Sequence, residues 1–86
     1  MNIAIFVSGN GTNCENLIRY FEHSTQVNCA LVVSNKPEAY ALVRAERLGV
    51  PTKVVSREQL HDADVMMTLL QQYGIAFSFK KISFVL

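Results

Sequence analysis

Residues 8 to 13 read Ser8-Gly9-Asn10-Gly11-Thr12-Asn13 and stand between the apolar run Ile3 to Val7 and an amphipathic stretch that opens at Cys14. Small polar residues and two glycines at such a junction suit anion binding. The leading amides of a helix have no carbonyl partners inside it and carry partial positive charge. A phosphate placed there accepts several of those hydrogen bonds at once. Glycines let the backbone come close to the anion, and Thr12 and Asn13 can add side-chain donors. The junction also falls at the carboxyl end of the first strand, where open α/β sheets bind ligands. The spacing is not that of a dinucleotide loop: Cys14 occupies the place of the third glycine. Ser34-Asn35-Lys36 stand where a ribose-binding acid belongs. No Gly-Lys-Ser/Thr follows either, which excludes a Walker loop. A single phosphate monoester is the fitting ligand. A tight strand-to-helix turn that binds nothing is the plain alternative.

Other reactive residue types read as structural. Cys14 is near a helix amino terminus, which stabilises thiolates, yet it shares an apolar stripe with Leu17, Ile18 and Phe21. Cys29 opens an apolar run and reads as core. Two cysteines at this distance form no zinc pattern, and no metal is expected. His61, Asp62 and Asp64 form a polar cluster that could bind metal or move protons, and His61 and Asp64, three apart, could share a helix face; a solvated face is the preferred reading. His23 has no partner motif. Lys80-Lys81 reads as solvation.

The elements that position the junction follow from the apolar pattern. Ile3 to Val7 and Cys29 to Val33 are continuous apolar runs, as in strands covered on both faces. Thr52 to Val55 is weaker and suits a sheet edge. Between them lie helical stripes: Cys14/Leu17/Ile18/Phe21, then Ala41/Leu42/Ala45/Leu48. Asn35 is a candidate cap and Pro37 a first-turn residue for the second helix, and Gly49 is its stop. Ser56 and Gln59 have capping-box spacing and open a third helix through Leu60, Ala63, Met67 and Leu70 to near Gly74. A strand-like run starts at Ile75. This alternation predicts an α/β fold, Rossmann-like, with a mainly parallel sheet, helices on both faces and strand order third, second, first, fourth. The chain has 86 residues, 50% of them hydrophobic and 17% charged, and a net charge of +1. That balance gives one globular unit with no field for nucleic acid and no membrane-length apolar segment. With no secretory signal and unpatterned cysteines, the expected compartment is cytoplasmic.

Three segments together resemble the amino-terminal part of phosphoribosylglycinamide formyltransferase, the folate-dependent enzyme family of purine synthesis. They are Met1 to Asn13, Val33-Ser34-Asn35-Lys36-Pro37-Glu38-Ala39, and Ala45 to Thr52. The resemblance runs over about residues 1–77. It implies that Gly11, Thr12 and Asn13 contact the phosphate of glycinamide ribonucleotide, while Gly9 and Asn10 shape the turn. It implies formyl-tetrahydrofolate as co-substrate, with none expected bound to this chain. The family's catalytic Asn, His and Asp come later in its chain, so no catalytic residue is assigned here and the chain is expected to be inactive alone.

After Phe77 the family pattern is lost. Residues 78–86 read as a divergent tail, the product of a frameshift or truncation, on a half-domain of the formyltransferase. An uncovered fourth strand would favour self-association through residues 75–86. The alternative function is a phosphate-binding or purely structural α/β fragment that self-associates without catalysis.

Overall fold

The computed structural model describes residues 2–7, 12–75 and 84–85, the backbone alone for residues 12, 84 and 85. The element order is β1 (Asn2–Val7), α1 (Thr12–Phe21), β2 (Asn28–Ser34), α2 (Tyr40–Arg47), β3 (Thr52–Val54), α3 (Arg57–Leu60), α4 (Ala63–Gln72) and β4 (Phe84–Val85). The strands form one sheet in the order β3-β2-β1-β4. Each neighbouring pair is parallel.

The two central strands are covered on both faces, which is why their sequences are apolar without alternation. Ile5, Val7 and Val32 pack with Cys14 and Ile18 of α1 and with Ala41, Leu42 and Ala45 of α2. Ala4, Leu31 and Val33 pack on the other face with Met66, Leu69 and Leu70 of α4 and with Ile75. Full burial of each Ile, Leu or Val here contributes roughly 1.5–3 kcal/mol. A register shift between Ile3 and Ala4 skips Ala30, so the consecutive β1 residues Ile3 and Ala4 pair with Cys29 and Leu31. Such a bulge lets Ala30 and Leu31 both serve the α4 face.

Both helix-stopping glycines act as expected. Gly49 has φ +79° and Gly74 φ +70°. After α2, the Val50 amide donates to the Ala45 carbonyl at 3.0 Å and Gly49 to Glu46 at 3.0 Å. After α4, Ile75 donates to Leu70 at 2.9 Å and Gly74 to Gln71 at 3.1 Å. These paired bonds close the helix ends in the Schellman arrangement, which needs a left-handed residue between them.

Three expectations are corrected. Asn35 does not cap α2, and Pro37 is not in its first turn: α2 starts at Tyr40 behind Ala39, which gives no side-chain cap. The cause is a local turn. The Lys36 amide donates to Ser34 Oγ at 3.0 Å, and the Ala39 amide donates to the Lys36 carbonyl at 3.1 Å, which uses up residues 36–39 before helical geometry begins.

The third helix is two helices. The Ser56–Gln59 capping box forms as expected on α3, with both reciprocal hydrogen bonds present. The chain then restarts, because Asp62 Oδ1 accepts the amides of Asp64 at 3.0 Å and Val65 at 3.2 Å and caps α4. The restart rotates the apolar stripe: Met66, Leu69 and Leu70 are buried, while Ala63 is exposed and Met67 only half-buried.

The fourth strand position is filled by Phe84–Val85, which pair with Ile5 and Phe6. Ile75, where a strand was expected to begin, is instead the residue that closes α4, with 2% of its surface exposed. Residues 76 and 77 of that expected strand lie outside the described residues.

Candidate phosphate site at the start of the first helix

The last residue of β1, Val7, sits opposite Ser34, the last residue of β2. After four intervening residues α1 begins at Thr12. In a parallel sheet this brings the amino end of α1 to the strands' carboxyl ends. The chain passes outward from β1 to β2 and β3, then returns to β4 on the other side of β1. The reversal at β1 is the switch point where open α/β sheets leave a crevice. Thr12 and Asn13 are therefore the first two residues of a helix that starts beside that crevice, and Asn13 is exposed. Ser8, Gly9, Asn10 and Gly11 lie outside the described residues.

Asn13 and Cys14 divide the first turn between solvent and core. Cys14 is fully buried against the sheet. Its thiol pKa is pushed up from the ordinary 9.0 to about 11, by burial first and the neighbouring Glu15 charge second. A helix amino terminus acts in the opposite sense, and burial wins. Cys14 is thus a packing residue holding α1 against Ile5 and Val7, not a nucleophile.

Glu15 is the acid in the first turn of α1, where its charge would repel an incoming phosphate. Arg44 Nη1 donates to Glu15 Oε1 at 2.9 Å and Arg19 Nε to Oε2 at 3.2 Å. The bond from Arg44, followed by that from Arg19, holds the Glu15 carboxyl below its ordinary pKa. Two guanidiniums offset one carboxylate, so the turn is left with no net negative charge. Arg44 also ties α2 to α1 across the layer.

Ser34 is the residue that sequence reasoning undervalued. It stands with Asn35 and Lys36 where a ribose-binding acid would be, yet it is 2% exposed at the carboxyl end of β2, beside Val7. Its hydroxyl accepts from the Lys36 amide at 3.0 Å and donates to the Lys36 carbonyl at 3.3 Å. This hook fixes the β2–α2 turn that borders the same crevice. A polar residue directly ending an apolar run was the available signal.

The remaining candidates disperse. His61 ends α3 and Asp62 caps α4, so the Asp62 carboxylate is engaged by backbone amides. Among the described residues no three His, Cys, Asp or Glu side chains gather as a metal site, and no helix is long and apolar enough to cross a membrane. A cavity of about 200 Å³ lies at the opposite, amino ends of the strands. An open one of about 390 Å³ runs along a flank of α4.

A family profile described as formyl transferase matches residues 1–79. The chain belongs to the formyl transferase family. Similar members include phosphoribosylglycinamide formyltransferase of Dictyostelium discoideum, 35% identical over 86% of this chain and 36% of that protein. The trifunctional purine biosynthetic protein adenosine-3 of Gallus gallus is 42% identical over 69% of this chain and 6% of its own length. Among solved structures, phosphoribosylglycinamide formyltransferase from Anaplasma phagocytophilum superposes with a TM-score of 0.74 at 34% identity, over 86% of this chain and 35% of that one. This formyl transferase chain thus spans about a third or less of the length of these relatives. Its four-stranded parallel sheet, with helices on both faces, is the Rossmann-like arrangement expected from the sequence.

Proposed function

We propose that this chain is the phosphate-holding portion of a phosphoribosylglycinamide formyltransferase, the enzyme that passes a formyl group from formyl-tetrahydrofolate to the amine of glycinamide ribonucleotide. One observation carries the reading: β1 runs into α1 at the carboxyl edge of a parallel sheet, beside its switch point. The family membership and the printed names of the relatives support the substrate. In this reading the backbone at Gly11, Thr12 and Asn13 receives the substrate's phosphate, with Gly9 and Asn10 shaping the approach. The neutralised Glu15 leaves the helix end free to attract an anion.

Formyl transfer also needs a base and a donor site held around the reacting amine. We assign the donor no contacts on the described residues. The proposal is therefore substrate binding without turnover by these 86 residues alone. We assign residues 1–77 to the phosphate-binding unit and 78–86 to a divergent segment, with self-association through residues 75–86 and a cytoplasmic setting. The free cysteines fit such a setting.

Titrating glycinamide ribonucleotide into isotope-labelled chain should move the Thr12 and Asn13 amide resonances saturably. Adding formyl-tetrahydrofolate should yield no formylated product above the enzyme-free rate. Silent amides would overturn the phosphate assignment, and measurable turnover would overturn the assignment of catalysis elsewhere. Light scattering should show mass rising with concentration; a monomer at all concentrations would contradict self-association.

A further inference from the structure

The cavity at the amino ends of the strands is built differently from the phosphate site. It has a volume of about 200 Å³, with Ile18 and Phe21 of α1 and Leu48 beyond α2 in its wall. Asn28 and Cys29, where β2 begins, and Glu22, just beyond α1, also line it. An apolar cavity of roughly 150 Å³ is enough to take up benzene, so there is room for one compact carbon ring.

The electrostatics of this end favour a cation. Two helices finish here, α1 at Phe21 and α2 at Arg47; helix carboxyl termini carry partial negative charge, reduced at α2 by the Leu48, Gly49 and Val50 amides that close its end. The basic residues of their last turns are engaged further back. Arg19 and Arg44 pair with Glu15, and Arg47 Nη1 donates to the Tyr40 hydroxyl at 3.0 Å. Glu22 belongs to neither ion pair with Glu15 and is the charged residue of the lining. Burial, then the neighbouring Cys14, pushes the Cys29 thiol up to about 11, so it is neutral at physiological pH. Asn28 Nδ2 donates to Asn2 Oδ1 at 3.3 Å, which orients the Asn28 side chain.

We propose that this cavity is a second binding site, for a small organic cation: a primary ammonium carried on a compact apolar ring. The ammonium sits at Glu22 under the two helix ends, and the ring lies among Ile18, Phe21 and Leu48. The site is independent of the phosphate site, which occupies the other end of the strands.

Cyclohexylamine, as its hydrochloride, is the probe, with cyclohexanecarboxylate as a control of similar shape and opposite charge. In an amide-resonance titration of the full chain, the amine should shift Ile18, Cys29 and Leu48 saturably and leave Thr12 and Asn13 in place. The carboxylate should shift none of them. Glu22→Gln, at an exposed position, should weaken amine binding about tenfold without changing the rest of the spectrum, the loss expected for one charge-assisted contact. Leu48→Trp, which fills the cavity, should abolish it. Equal shifts from the carboxylate, no shift from the amine, or unchanged affinity in Glu22→Gln would each overturn the proposal.

Discussion

Cys14 offers a sharp test of how the first turn of α1 is organised, because two physical effects on its thiol oppose each other. A helix amino terminus alone brings a thiol pKa down, in favourable cases to about 3.5–7.5. The structure buries Cys14 completely and raises its pKa from 9.0 to about 11. Two pKa units leave about 100-fold less thiolate at neutral pH than in an unfolded chain. Since the thiolate is the attacking species, iodoacetamide at pH 7.5 should alkylate native Cys14 at least about 100-fold more slowly than the same residue in urea. Cys29 has a similarly raised pKa but is only half-buried, so it should react first, as peptide mass spectrometry would resolve. The sign for stability follows. The folded chain holds the Cys14 proton more tightly than the unfolded chain, so this contribution is complete below about pH 9 and is lost as pH rises toward about 11. Cys14→Ala should flatten that part of the stability–pH curve. Native alkylation of Cys14 at or above the unfolded rate would refute the burial argument and restore a reactive thiol.

Removing the α4 cap with Asp62→Ala should cost about 1 kcal/mol, seen as a fall in Tm of about 4–8 °C for a chain of this size. Asp62→Asn should retain most of it, and added zinc should not stabilise either form. Arg44→Gln should raise the Glu15 pKa toward its ordinary value, read by carboxyl-resonance titration. The stability from this depressed carboxylate is present above pH 4.5 and is lost as pH falls through the folded pKa. Gly49→Ala should cost roughly 1–2 kcal/mol from left-handed strain alone, since a Cβ there meets no atom within 4 Å. Gly74→Ala should cost more in urea melts: its Cβ would lie 2.9 Å from Asn2 Nδ2 and displace an amide that donates to the Tyr73 and Gly74 carbonyls.

The sheet order was readable because Ile3 to Val7 and Cys29 to Val33 are apolar on every residue, which only strands covered on both faces require. The glycine stops were readable for a similar reason: Gly49 and Gly74 end stripes whose burial is unambiguous. The start of α2 was not. Pro37 is acceptable in a first turn, and nothing in the residue types shows that the Ser34 hydroxyl captures Lys36 and delays the helix. The break before α4 was hidden because Ser56 already supplied a start signal, and a second cap at Asp62 lies within one turn of the first helix's end. For the fourth strand, Ile75-Ala76-Phe77 and Phe84-Val85-Leu86 are equally apolar candidates to pair with β1, and periodicity does not choose between them; of these, the described Phe84–Val85 pair with Ile5 and Phe6. For the proposed phosphate site, the residue types carried the expectation and the fold places Thr12 and Asn13 at the carboxyl edge of the sheet, while the buried support from Ser34 and the Arg44–Glu15 tie depend on contacts between segments distant in sequence.

Everything assigned to the start of α1 rests on main-chain hydrogens that receive a sugar phosphate. The most direct measurement is an amide-resonance titration with ribose 5-phosphate against unphosphorylated ribose, in the parent chain and in Gly11→Val. The account predicts saturable shifts at Thr12 and Asn13 with the phosphate ester only, and their loss in the variant. Identical responses to both sugars, or shifts that survive Gly11→Val, would contradict it.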